Sequence, residues 1–174
     1  MPITRLNHAV LYVRDVETSV RFYTEVLGFR RLETGGNMRG AAFLQAGGSK
    51  NDHDIGLFEI GSEAAPTRAG RDEVGLYHLA WEVDTLDELE RMAHALSEAG
   101  ALVGASDHST TKSLYAKDPD GLEFEVAWVV PADQLDEDAR SGQSTVRPLD
   151  LEAAKARYGA ATVGGVGISD VKRV

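Results

Sequence analysis

No cysteine occurs among the 174 residues. Disulfides, thiolate metal sites and cysteine nucleophiles are excluded together. Long apolar runs are missing too, and no window approaches the roughly 20 residues a membrane span needs. The opening stretch MPITRLNHAV lacks the basic-then-apolar pattern of a signal peptide, so a cytoplasmic protein is expected. Positive charge is scarce: 18 Lys and Arg stand against 28 Asp and Glu, a formal net charge of −10. Nucleic acid and anionic membrane require a basic footprint, and both are disfavoured as partners. What the chain does have is 43% hydrophobic residues, enough for one core or two small halves sharing one. A small molecule is the default partner.

The most informative feature is an internal repeat. NHAVLYVRDVETSVRFYTEVLGF starts at Asn7, and a weaker copy, YHLAWEVDTLDELERMAHALSEAGA, starts at Tyr77. Each copy has histidine as its second residue, His8 and His78, followed by an apolar run that reads as a strand. A cap and an amphipathic helix come next. Val16, Val20, Tyr23 and Leu27 share one face of the first helix; Leu86, Leu89, Ala93 and Leu96 share one face of the second. Thr85 and Glu88 fit a capping box, and Gly28 and Gly100 end the helices. Three strand-like runs follow in each copy: FRRLET, AAFLQA and IGLFEI, then ALVGA, SLYAK and EFEVAWVV. The spacing predicts an α+β protein of two tandem βαβββ modules, 3–61 and 73–130, in a single domain over 1–130 whose curled mixed sheets surround a metal cavity. Residues 131–174 read as an extension, partly helical at LEAAKARY and flexible at its glycine-rich end.

The closing strands match as FEI and FEV, which pairs Glu59 with Glu125. His8, His78, Glu59 and Glu125 then become four metal-competent side chains at equivalent places of the repeat. Nitrogen and carboxylate oxygen suit Fe(II), Mn, Ni, Zn or Co, and the lack of thiolate disfavours a soft site. Two histidines with one carboxylate leave positions open for substrate and oxygen; a second carboxylate closes the site toward Lewis-acid chemistry. Glu123 shares strand parity with Glu125 but has Leu57 as its counterpart, and is read as a bystander. His94 flanks the apolar face of the second helix and is read as solvated. Trp81 and Trp128 are read as core or interface residues.

The tandem modules, the FYTEVLGF helix end and the DPDGLEFEV turn-strand resemble the vicinal oxygen chelate superfamily, over about residues 4–130. That group includes glyoxalases, extradiol ring-cleaving dioxygenases and bleomycin- or fosfomycin-resistance proteins. The finer resemblance is to the type I extradiol catechol dioxygenases. It implies an Fe(II) ligand set of His8, His78 and Glu125. It also implies His53, in HDIGLF, as the residue that stabilises reduced oxygen and then supplies a proton. Tyr115, ten residues before Glu125, and His108 would hold the substrate and help deprotonate it. Histidine ordinarily titrates near neutrality, which suits both roles. The resemblance further implies an aromatic diol and dioxygen as substrates and a homodimer as the assembly.

Two alternatives stay open at this point. A glyoxalase-like lyase or isomerase would use His8, Glu59, His78 and Glu125 together. A resistance-type binding protein would keep the cavity without catalysis. Strand parity sets Ile55, Leu57 and Glu59 on one face of an ideal strand, and a bulge would reverse that assignment.

Overall fold

The structure, a computed structural model, describes residues 2–3, 5–33, 38–142 and 145–165. These divide into two compact units: residues 1–68 with 118–122, and residues 69–117 with 123–174. The glycine-rich end expected to be flexible lies outside the described residues from 166 onward.

In the first unit β1 (Ala9–Val13) leads into α1 (Val16–Arg21). Asp15 caps that helix, its carboxylate accepting the Thr18 amide at 2.6 Å. The helix continues as a single π-helical turn, Phe22–Val26, and the chain reverses at Gly28 with φ +73°. Then come β2 (Arg30–Arg31), β3 (Ala41–Gln45) and β4 (Ile55–Glu59). The sheet order is β1-β4-β3-β2, with β1 parallel to β4 and the other pairs antiparallel. Alternation sends Leu11, Val13, Leu44, Ile55 and Leu57 onto the buried face beneath Val16, Val20 and Tyr23. Each such side chain contributes about 1.5–3 kcal/mol when fully buried. The expected strand FRRLET shrinks to two residues.

The DPDG turn closes this unit. Asp118 accepts the Asp120 and Leu122 amides, each at 2.9 Å, and the Tyr23 hydroxyl at 3.3 Å. Asp120 in turn pairs with the Arg14 guanidinium at 2.8 Å.

The second unit repeats the plan. β5 (His78–Glu82) precedes α2 (Leu86–Glu98), then β6 (Leu102–Asp107), β7 (Thr111–Lys117) and β8 (Glu123–Val129). The order is β5-β8-β7-β6, extended at the β6 edge by β9 (Arg147–Pro148), again with first and last module strands parallel. Thr85 caps α2 through the Glu88 amide at 3.1 Å, but the Glu88 carboxylate turns to Arg91 instead of completing the capping box. Leu86, Leu89, Met92 and Leu96 form the buried stripe, so Met92 takes the place expected of Ala93. They cover Leu114, Phe124, Val126 and Trp128.

Part of the C-terminal extension belongs to this core. It contains α3 (Glu137–Ser141), β9 (Arg147–Pro148), which adds to the β6 edge, and α4 (Leu151–Tyr158). Tyr158 packs against Trp128 with ring centroids 5.6 Å apart, and the indole N–H donates to the Thr162 carbonyl at 3.2 Å. Trp128 is thereby fully buried, as the sequence predicts of a core residue.

The ladders correct one sequence expectation. β1 pairs with β4 as Ala9↔Ile55 and Val10↔Gly56, while β5 pairs with β8 as Leu79↔Phe124 and Ala80↔Glu125. With His8 and His78 set equivalent, the counterpart of Glu125 is Gly56, and the counterpart of Glu59 is Trp128. The FEI and FEV match is out of register by three residues. An odd slip on a strand reverses every side chain.

Candidate metal and substrate site

His8 immediately precedes β1, and its ring lies 4.4 Å from that of His53, tilted by 39°. The loop before β4 brings His53 there. Asp54 accepts the Ala46 amide at 2.8 Å, the Ser49 hydroxyl at 2.8 Å and the Asn51 amide group at 2.7 Å. The Asp54 carbonyl then accepts the Ala9 amide at 3.0 Å, fastening the loop to β1. Phe43 stands edge-on to His53 at 5.1 Å, and the Asp52 carboxylate lies 3.2 Å from its Nδ1. Asn7 Oδ1 sits 2.7 Å from His8 Nδ1. Neither Asn7 nor Asp54 was singled out in the sequence; both are ordinary loop residues there, and their roles depend on tertiary geometry.

In the second unit His78 opens β5, and its Nε2 lies 3.2 Å from the Glu125 Oε2 on the adjacent strand. Two donors about 2.1 Å from one ion, at right angles, stand about 3 Å apart, so this pair fits two neighbouring positions around a cation. The His78 Nδ1 is buried without a hydrogen-bond partner among the described residues. Tyr115 pairs directly with Glu125 across the β7–β8 ladder and shares its face. Its hydroxyl lies 2.8 Å from the His108 Nε2. Burial raises the Tyr115 pKa above its ordinary value, the Glu125 charge adds to this, and a Ser113 hydrogen bond opposes it. The phenol therefore stays protonated at neutral pH. His78, Glu125, Tyr115 and His108 form one polar row on a single sheet face. Tyr77 packs against His78 with ring centroids 4.7 Å apart and planes inclined by 57°. An aromatic directly before a candidate ligand was the available sequence signal for this contact.

The remaining acidic candidates fall elsewhere. Glu123 lies 3.5 Å from Lys117 at the hairpin end, in keeping with a bystander. Glu59 accepts the Val16 amide at 3.1 Å, on the helix-covered side of its strand. There it sits at the positive end of α1, a place that stabilises a carboxylate. The expectation that it repeats Glu125 is overturned: the equivalent position is Gly56, where an added Cβ would meet Phe43 at 3.4 Å and Val10 at 3.5 Å. His94 is exposed. Among the described residues no three His, Asp or Glu side chains are gathered closely enough to hold one ion. Two of the expected ligands, His78 and Glu125, come together in the second unit, and His8 belongs to the first.

A two-unit α+β protein with this repeated ladder and His–Glu pair defines a recognisable class. The family model for the Glyoxalase/Bleomycin resistance protein/Dioxygenase superfamily matches residues 5–126, and the chain belongs to that superfamily. The superfamily is mostly enzymatic and metal-dependent. The chain is 32% identical over 123 residues to catechol-2,3-dioxygenase of Bacillus subtilis, covering 71% of this chain and 41% of that protein. It thus spans about two fifths of that relative's length. It is 31% identical over 125 residues to a lactoylglutathione lyase of Neisseria meningitidis, covering 70% of this chain and 88% of the lyase. Among solved structures, a glyoxylase/bleomycin resistance protein/dioxygenase domain from Frankia sp. EAN1pec aligns with a TM-score of 0.60 at 26% identity, over 72% and 92% of the two chains. No helix among the described residues is long and apolar enough to cross a membrane.

Proposed function

We propose that this protein is an Fe(II)-dependent extradiol dioxygenase that cleaves a catechol-type aromatic diol beside its hydroxyls. The observation that carries this reading is the row His78–Glu125–Tyr115–His108, with its Tyr115–His108 hydrogen bond of 2.8 Å. A carboxylate–imidazole pair on its own serves any superfamily chemistry. A phenol and a second imidazole beside it supply what a diol substrate needs, a partner that orients one hydroxyl and a base that takes its proton. The similarity to catechol-2,3-dioxygenase points the same way.

In this reading His8, His78 and Glu125 hold the ion. Once bound, iron(II) supplies open positions for the diol's two oxygens and for dioxygen. Tyr115, kept protonated by burial and by the Glu125 charge, donates to a substrate oxygen. His108 accepts the proton that the diol releases. His53 stands beside His8 as the acid that returns a proton later in the reaction. Dioxygen and a small aromatic diol are the substrates, a second copy of the chain is the partner, and the compartment is the cytoplasm.

The lactoylglutathione lyase similarity favours a second reading, a metal-dependent lyase or isomerase using Glu59 as well. The Val16 amide engages Glu59 on the helix side of its strand, which weighs against it. The deciding experiment is metal analysis of protein purified without oxygen, added metal or chelator, followed by oxygen uptake with a panel of catechols. Near-stoichiometric iron and catechol-dependent uptake support the dioxygenase. Nickel, zinc or cobalt with no uptake would transfer the assignment to the lyase, and a metal-free protein that takes up no added Fe(II) would leave a binding protein.

A further inference from the structure

Lys112 lies on the opposite face of β7 from Tyr115, with Leu114 and Ala116. There, between the β6–β7 hairpin and the C-terminal extension, the second unit contains a cavity of about 450 Å³. In a protein of net charge −10 its walls gather three cations, Lys112, Arg147 and Arg157, with the hydroxyls of Ser109 and Thr145 and the Tyr158 ring.

Two carboxylates, Asp107 and Asp150, also line the cavity, and both are committed. Asp107 accepts the Lys112 ammonium at 2.8 Å and the Ser109 amide at 2.7 Å. Asp150 caps α4 through the Ala153 amide at 2.9 Å. Arg157 pairs with Asp136 at 2.6 Å, outside the cavity lining. The Arg147 guanidinium has no ion pair or hydrogen bond among the described residues. Burial pushes the Lys112 pKa down, and the nearby Arg157 and Arg147 charges push it the same way. The cavity thus holds one more positive charge than its lining balances.

The backbone keeps the space beside Arg147 open. Ser109 is a non-glycine residue at φ +67°, held there by Asp107 through its amide and by Lys112 through its carbonyl at 2.9 Å. Gly142 faces it, and a Cβ at that position would collide with the Ser109 hydroxyl and stand 4.0 Å from the Arg147 Nη2.

We propose that this cavity binds a small organic molecule through an oxyanion group, carboxylate or phosphate, held by Arg147 and by the Ser109 and Thr145 hydroxyls. A guanidinium fork matches either oxyanion. The volume lies within the range of small-molecule sites and exceeds what the bare anion fills, leaving the Tyr158 ring as a wall for the organic remainder. The site stands on the reverse of the strand that carries Tyr115, and one turn serves both: Ser109 lines the cavity while its neighbour His108 meets the Tyr115 hydroxyl.

The test titrates the full chain with inorganic phosphate and, separately, with acetate at constant ionic strength, by calorimetry and by amide NMR. Saturable one-site binding of at least one anion is expected, with shifts centred on Ser109, Lys112 and Thr145. Arg147→Gln, at an exposed position, should leave the circular dichroism unchanged and weaken binding about tenfold, or about 1.4 kcal/mol. Preference for phosphate identifies a phosphorylated ligand, and preference for acetate a carboxylated one. Failure of both anions to saturate, shifts centred elsewhere, or binding that Arg147→Gln leaves intact would overturn the proposal.

Discussion

Glu59 and Glu125 each follow a phenylalanine on a strand that runs parallel to its module's first strand. Their neighbours give them different work. Glu125 lies 3.2 Å from an imidazole beside a half-buried phenol, whereas Glu59 accepts a helix N-terminal amide. Glu125→Ala should therefore strip the metal while leaving circular dichroism unchanged, and full metal occupancy in that variant would sink the ligand assignment. Glu59→Gln should keep the metal and cost only about 0.3–1 kcal/mol of stability, the usual worth of a charge at a helix end. Tyr115→Phe should also keep the metal, yet lower kcat by about 10²–10³, the range for losing one preorganised hydrogen-bond donor. A Tyr115→Phe enzyme with unchanged kcat would remove the phenol from the chemistry. His8 and His78 were legible in the repeat itself, whereas His53, His108 and Tyr115 were singled out only through the resemblance to the extradiol dioxygenases. Tyr77 was singled out by neither, because an aromatic residue before a strand has many commoner uses.

At the scale of elements, capping residues and terminal glycines were legible because their chemistry is local: Asp15, Thr85, Gly28 and Gly100 each act within a few residues of themselves. The DPDG turn is a further local signal, and Asp118 makes it measurable. Burial raises the Asp118 carboxyl pKa above its ordinary value, outweighing the hydrogen bonds from Leu122 and Asp120. A folded pKa above the unfolded one means that the folded state binds more protons between the two values. Asp118 therefore adds stability that is full below its unfolded pKa and fades as pH rises through the folded one. Asp118→Asn keeps an acceptor for the turn amides and removes this dependence. Its stability relative to wild type should rise as pH climbs from the ordinary aspartate pKa through the raised folded one, by roughly 1 kcal/mol or less, in urea melts. A flat difference across that window would show that the carboxyl titrates as it does unfolded. The extension was less legible, since α4 buries only Ala154 and Tyr158 and carries little amphipathic pattern. Its tail is nonetheless specific: Gly164 donates to the Asp84 carbonyl at 2.6 Å, and any Cβ there would strike the Trp128 indole. Gly164→Val should cost about 1–3 kcal/mol in the second unit, as overpacking does.

Over the whole molecule, the duplication was the strongest sequence signal, because two histidines followed by two capped helices recur at one spacing. The strand register was not legible. A two-residue match on alternating strands cannot distinguish a true alignment from a slip of three, and the ladders alone assign Gly56 opposite Val10 and Glu125 opposite Ala80. That correction removes the fourth carboxylate from the repeat; of the proposed ligands, His8 lies in the first unit and His78 and Glu125 in the second. The set can be tested without presupposing any arrangement of the units. If His8, His78 and Glu125 hold one ion, His8→Ala must lower Fe(II) affinity about as severely as His78→Ala, although the two residues belong to different units. Metal-induced stabilisation supplies the readout, about 2.7 kcal/mol when free Fe(II) is one hundred times the dissociation constant. Should His8→Ala keep the full metal-dependent rise in melting temperature while His78→Ala abolishes it, the ion would belong to the second unit alone. His8 would then be a ring packed on His53, outside the metal site.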